Sequence, residues 1–133
     1  MSAVFLDTVG LIALWDATDQ WHSAAKEAMA SLSAPGTRLV TTSFILLECG
    51  NSAARKPYRA DVDALRQSLQ NAGDLIISTE GDWEAAWVDF ARGQAADAGI
   101  VDHVSFVVMR RLGITDVFSN DRHFKAAGFN TLF

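Results

Sequence analysis

Apolar residues fall along the chain in short continuous runs that alternate with stripes of helical spacing. Ala3 to Asp7 is a brief apolar run closed by an acid, the pattern of a strand buried on both faces of a parallel sheet. Val9 to Trp15 continues as a helix, so Asp7 stands at the carboxyl end of the first strand. Thr18 or Asp19 caps a second helix carrying Trp21, Ala25, Ala28, Met29 and Leu32, and Ser33-Ala-Pro-Gly36 breaks it. Arg38 to Thr42 is the second strand, after which Ser43 caps a helix bearing Phe44, Leu47 and, one turn in, Glu48. Pro57 interrupts that helix, and a more polar one runs from Arg59 to Gln70. Asp74 to Ser78 reads as a third strand. A helix from Gly81 to Arg92 follows, with Trp83, Trp87 and Phe90 on one face, and Gly93 to Gly99 is a looser link.

The next stretch, Asp97 to Phe124, carries the chemistry. Asp102 heads an apolar run that reaches Leu112 and is stopped by Gly113; a short strand, Asp116 to Ser119, follows, and Asp121 comes just after it. A helix joined to a strand by so short a turn packs antiparallel to it, which brings Asp102 close to Asp121. Two carboxylates on one edge repel, so the pair calls for a cation or a catalytic role. Asn130 to Phe133 is a short last strand. Strands alternating with helices give an α/β class with a mainly parallel sheet covered on both faces. In such sheets ligands bind at the carboxyl edge, and Asp7, Glu48, Asp102 and Asp121 all fall there. Singly, each is accounted for by a helix cap or a solvated group; jointly they point to a shared site. An oxygen-only set, without a Cys/His pairing at zinc spacing, suits a hard cation, magnesium or manganese. Such an ion deprotonates a water and stabilises charge developing on a phosphodiester.

Phe5-Leu-Asp-Thr8, Leu46-Leu-Glu-Cys-Gly-Asn51, Val101 to Gly113 and Ser119-Asn-Asp-Arg-His-Phe124 together resemble a PIN domain of the VapC type, the nuclease toxin of bacterial toxin–antitoxin pairs. The resemblance runs over essentially the whole chain. It implies a three-layer α/β/α sandwich with strand order 3-2-1-4-5, which would make the first and fourth strands neighbours. It also implies a magnesium-dependent endoribonuclease, with manganese as the other fitting ion, acting on RNA as the toxin of a type II toxin–antitoxin pair. Asp7 and Asp102 would be the primary metal ligands, with Glu48 and Asp121 completing the catalytic cluster, and Thr8 and Ser119 supporting it from behind. A homodimer and a small antitoxin protein covering the site are implied as well. Three positions depart from the pattern: Val101 and Gly99 stand where a hydroxyl residue is common, and Val9 where Ser or Asn is usual. Loss of such outer partners loosens a metal site.

Composition changes this picture little. The 133 residues read as one domain, residues 1–133, half of them hydrophobic and a fifth charged. A single cysteine, Cys49, excludes an internal disulfide and suits a reducing cytoplasm. No apolar run has the length of a membrane span, and Met1-Ser-Ala lacks a charged leader start. The net charge of −5 speaks against a general nucleic-acid coat protein, but an acid cluster contributes negative charge of its own. Arg55, Lys56 and Arg59, with Arg122 and Lys125, are placed to hold RNA phosphates, with a solvated basic face as the equal alternative. His103 and His123 read as packing or substrate contacts, His22 as a surface residue, Cys49 as a small hydrophobe, and Trp83 and Trp87 as core or dimer contacts.

Rival classes weaken on single residues. A haloacid-dehalogenase phosphatase needs an acid where Val9 stands, and a signalling receiver needs a lysine after its last strand that has no counterpart here. The open rival is a non-catalytic PIN-fold binding module that keeps the metal site and uses its groove for a partner.

Overall fold

The computed structural model describes residues 2–95 and 97–133. Met1 of the leader reading and residue 96 of the expected link lie outside them. In chain order the elements are β1 (Ser2–Leu6), α1 (Thr8–Trp15), α2 (His22–Ser31), β2 (Thr37–Thr42), α3 (Ser43–Ala53), α4 (Arg59–Ala72), β3 (Leu75–Ile76), α5 (Glu80–Ala91), α6 (Ile100–Leu112), β4 (Asp116–Phe118), α7 (Arg122–Ala126) and β5 (Asn130–Thr131). The sheet has five strands in the order β3-β2-β1-β4-β5, and every pairing is parallel. Helices α1 to α4 pack among themselves, as α5 does against α6. Parallel crossovers are right-handed as a rule, and with this strand order the rule sets these groups on opposite faces of a three-layer α/β/α sandwich.

The central strands are apolar because both their faces are covered. Phe5, Leu6, Val40, Val117 and Phe118 are fully buried in one core with Ile45, Phe106, Met109 and Phe124. Each such side chain contributes about 1.5–3 kcal/mol by leaving water. α6 stops where expected: Gly113 takes the left-handed conformation at φ 70°, and the N–H groups of Gly113 and Ile114 cap Arg110 and Met109.

Several local expectations differ. The cap of α3 is Thr42, whose hydroxyl accepts from Ile45 N–H, and Ser43 is the first helical residue. Trp21 precedes α2 without a side-chain cap; Asp19 instead accepts the Trp21 N–H and closes the turn before it. The third strand shrinks to Leu75–Ile76 because only these residues find partners, Thr41 and Thr42, on β2. Among the described residues no helix is long and apolar enough to cross a membrane.

Candidate metal centre at the carboxyl edge

The register of β1 against β4 pairs Leu6 with Phe118, so the residues that follow, Asp7 and Ser119, leave the sheet side by side. Asp7 is 2% exposed and Ser119 is fully buried. The Ser119 hydroxyl donates to Asp7 Oδ2 at 2.8 Å and accepts the Asp121 N–H at 3.0 Å. One serine therefore ties the end of the first strand to the turn after the fourth. Asp7 Oδ2 also accepts the Val9 N–H at 3.3 Å, which caps α1. Gly10 allows this closeness: a Cβ there would stand 2.1 Å from the Phe118 carbonyl oxygen. No reading of the sequence singled Gly10 out, and its one signal is a glycine inside an otherwise apolar helix.

Thr41 fastens β2 alongside, its hydroxyl donating to the Leu6 carbonyl at 2.6 Å. α3 then carries Glu48 toward the first strand, where Thr8 donates its hydroxyl to Glu48 Oε1 at 2.6 Å. Asp102 lies in the first turn of α6. Asp121 caps α7 by accepting the His123 N–H at 2.9 Å. Phe124 anchors that short helix, buried edge-on against Phe106 with ring centres 5.0 Å apart.

The acids act on one another. Burial pushes the Asp7 carboxyl up to about 7; the Ser119 hydroxyl opposes this, and the charges of Asp102 and Asp121 add to it. Asp102 is pushed up to about 6 by burial, then by Asp121, with His123 opposing and Glu48 adding. Among the described residues no Lys or Arg forms an ion pair with any of these acids. The nearest counter-charge is His123, whose ring reaches Asp97, Asp102 and Asp121. Its pKa is held above the ordinary value, first by the hydrogen bond to Asp97 and then by the charges of Asp121 and Asp102. Oxygen donors of Asp102 and Asp121 and a ring nitrogen of His123 lie within 4.8 Å of one another. Acids that crowd one edge, Asp7 buried and Glu48, Asp102 and Asp121 half-buried, with no Lys or Arg paired to them among the described residues and only the His123 ring beside them, fit a divalent cation. Asp7 and Glu48 stand just outside the tight triad and are joined to it through charge.

The PIN domain family model matches residues 4–130. The chain belongs to the PIN domain family. It is 32% identical over 127 residues, 95% of either chain, to the 23S rRNA-specific endonuclease VapC20 of Mycobacterium tuberculosis. The crystal structure of that protein, described as a sarcin-ricin loop cleaving toxin, superposes at a TM-score of 0.81 with 30% identity over 95% of both chains. FitAcB from Neisseria gonorrhoeae shares the fold alone, with a TM-score of 0.65 at 13% identity, over 98% of this chain and 96% of that one.

Other residues of this PIN domain fall out variously. His103 is a packing residue, buried between Phe90 and Phe106, and burial lowers its pKa. Cys49 is fully buried and its thiol is pushed up to about 12, which makes it inert. His22 is not a free surface residue: it is half-buried, with Nδ1 at 2.8 Å from the Ala13 carbonyl oxygen. Trp83 and Trp87 are not core; both are exposed, in an aromatic row from Phe44 through to Phe90. Arg55, Lys56 and Lys125 are exposed and make no ion pair among the described residues. Arg59 caps the Ala54 carbonyl, and Arg122 pairs with Asp97 at 3.3 Å.

Proposed function

We propose that residues 1–133 form one PIN nuclease unit, a magnesium-dependent endoribonuclease that hydrolyses RNA phosphodiester bonds as the toxin of a type II toxin–antitoxin pair. The observation that carries the reading is the mutual coupling of Asp7, Asp102, Asp121 and Glu48 at the carboxyl edge, without a Lys or Arg counter-charge among the described residues. The likeness to a 23S rRNA-specific endonuclease over nearly the whole chain supports it. Asp7 and Asp102 would hold the metal directly, with Glu48 and Asp121 completing the set. A divalent cation bound there supplies the acidity that activates water and the charge that offsets the scissile phosphate.

The chain's own residues do the positioning. Both hydrogen bonds of the Asp7 side chain fall on Oδ2, which fixes the plane of the carboxylate and commits Oδ1 to no described residue. Thr8 restrains Glu48 in the same way. Arg55, Lys56 and Lys125, exposed and in no ion pair among the described residues, are the cations free to hold RNA phosphates, while Arg59 and Arg122 would leave the Ala54 carbonyl and Asp97 to join them. The aromatic row on α5 is the surface offered to a second copy in a homodimer. An antitoxin would inhibit by reaching an arginine into the acids, in place of the cation and phosphate. The expected location is the cytoplasm.

A non-catalytic module that keeps the metal is the second reading, and Val9, Gly99 and Val101 are the positions that favour it. Against it stand the hydrogen bonds from Thr8 and Ser119, which hold two acids in fixed orientations. The test is cleavage of RNA, beginning with a 23S rRNA fragment that holds the sarcin-ricin loop, by wild type, Asp7→Asn and Asp102→Asn with and without magnesium. Magnesium-dependent cleavage by the wild type alone is expected. Equal cleavage by all three proteins overturns the nuclease assignment.

A further inference from the structure

Asp89, near the end of α5, and Arg110, in the last turn of α6, line one polar cavity of about 390 Å³ together with Gln94, His103 and Ala127. That volume falls in the range of small-ligand pockets. The cavity lies beside the acids and shares no side chain with them. His103 follows Asp102 on α6, and Gln94 belongs to the loop that goes on to Asp97, the partner of Arg122 and His123. The two charged walls do not pair: among the described residues neither Asp89 nor Arg110 is in a salt bridge. Arg110 is nonetheless held in place. Its Nη2 donates to the Ala127 carbonyl at 2.9 Å, and its guanidinium carbon lies 5.2 Å from the centre of the Phe129 ring. A guanidinium has five N–H donors, so most of this fork is left for a ligand. The floor is rigid as well, because His103 is 2% exposed and wedged edge-on between Phe90 and Phe106. An acid and a guanidinium that flank one cavity without meeting suit a ligand with donors on one edge and acceptors on another. Asp89 disfavours a simple anion there, and Arg110 a simple cation.

We propose that this cavity is a subsite for an unpaired guanine base of the RNA substrate, with Asp89 accepting from guanine N1–H and N2–H and Arg110 donating to O6 and N7. The proposal rests on the ribonuclease reading above and names what that enzyme selects. Unpaired RNA bases splay out and are read along their Watson–Crick and Hoogsteen edges. Guanine alone has two adjacent donors on one edge and two adjacent acceptors on the other, so it meets a carboxylate and a guanidinium with a two-bond contact at each end. Adenine sets its amino group where O6 would stand and repels the guanidinium. Uracil offers one donor between two carbonyls, and cytosine a single donor group. Asp102 and His103 are consecutive, so a phosphate held at the acids leaves a neighbouring base within reach of the cavity.

The experiment has a binding arm and a cleavage arm, both on the full chain, with circular dichroism to check each variant's fold. In chelator, the monophosphates of guanosine, inosine (no N2 amino group), 7-deazaguanosine (no N7) and adenosine are titrated while the amide resonances of Asp89, Gln94 and His103 are followed. Wild type should bind the guanosine nucleotide roughly 10-fold or more tighter than the other three. Asp89→Asn should erase the difference between guanosine and inosine, and Arg110→Met that between guanosine and 7-deazaguanosine. In the cleavage arm, the unpaired guanines of the sarcin-ricin fragment are replaced one at a time by inosine. One replacement should slow wild type roughly 10-fold and leave Asp89→Asn unaffected. No shift of those amides at millimolar nucleotide, equal binding of guanosine and inosine, or a preference that survives Asp89→Asn overturns the proposal. Guanine-selective binding with cleavage indifferent to every inosine gives the cavity to a free guanine nucleotide and overturns its role in substrate choice. Guanine-selective binding by a chain that cleaves no RNA with magnesium overturns the ribonuclease reading and leaves the guanine cavity standing.

Discussion

Replacing Asp7 by Asn removes a buried charge and keeps its shape. The Asp7 carboxyl stands at about 7 in the folded protein against an ordinary 3.8, a gap of roughly three pH units and on the order of 4 kcal/mol. The folded protein holds this proton more tightly than the unfolded chain does, so the ionised form opposes folding. The penalty is absent below the ordinary value of 3.8, grows as pH rises, and is complete above about 7. Asn still accepts from the Ser119 hydroxyl and the Val9 N–H, and it remains a favoured helix cap. Losing the charge-assisted strength of those bonds takes back roughly 1 kcal/mol. The net gain is about 3 kcal/mol, which raises the melting temperature of a domain this size by about 10 °C. The assay is thermal unfolding of wild type and Asp7→Asn from pH 4 to 8, in chelator and in millimolar magnesium. In chelator the variant should melt higher at pH 8, with the gap closing toward pH 4. Magnesium should stabilise the wild type by mass action and the variant much less. A variant that melts at or below wild type at pH 8 in chelator would show that Asp7 carries no uncompensated charge, and the argument for a cation would fall with it.

Ser119→Ala leaves the Asp121 N–H without its acceptor and Asp7 Oδ2 without its hydroxyl donor; it should cost roughly 1–3 kcal/mol in denaturant unfolding and move the acid limb of the cleavage–pH profile upward. Gly10→Ala sets a Cβ against the Phe118 carbonyl, and should destabilise by at least the upper end of the roughly 1–3 kcal/mol typical of overpacking while lowering cleavage, because it pushes α1 away from Ser119. Arg111→Met removes both guanidinium bonds to buried Asp82, each 2.8 Å. Since those bonds hold the Asp82 pKa below the ordinary value, stability present above the unfolded pKa should be lost, and the difference from wild type should shrink as the pH falls through the folded one. If α5 carries the proposed dimer contact, Trp87→Asp with Trp83→Lys should give a monomer in light scattering where wild type gives a dimer, and leave the circular dichroism unchanged; a wild type that is itself monomeric refutes the contact.

The strands and the acids were legible because each rests on a local signal. A both-faces-buried strand is a short apolar run, as at Val4 to Leu6, and its end is marked by the first polar residue, Asp7. The start of α6 and its stop at Gly113 bracket Asp102 in the same way. What stayed hidden depends on other parts of the chain. The stripe of Trp83, Trp87 and Phe90 has the spacing of a buried face, yet the burial of α5 is met by Ala86 and Asp82, and the aromatic row faces outward. Gly10 looks like a tolerable weakness in a helix, and only the backbone of β4 makes it necessary. The link from Asp97 to His123 joins residues 26 positions apart through an exposed carboxylate, with no periodicity to betray it.

The acids also correct a way of weighing them. A helix cap and a site residue look like competing explanations of an Asp after a strand, but the two roles are compatible here. Asp7 caps α1 through Oδ2, and Asp121 caps α7 through Oδ1; each cap occupies one oxygen and fixes the plane that holds the other. In a parallel sheet the strand's carboxyl end and the next helix's amino end meet at the same edge. Capping that helix with an acid thus aims a carboxylate at the place where ligands bind. A cap assigned from sequence at this edge therefore says nothing against a functional role. The discriminating feature is whether neighbouring acids converge without a Lys or Arg among the described residues: Asp7, Asp102 and Asp121 do, with His123 as their nearest cation, whereas Asp82, as buried as Asp7 and also part of a cap, is answered by Arg111.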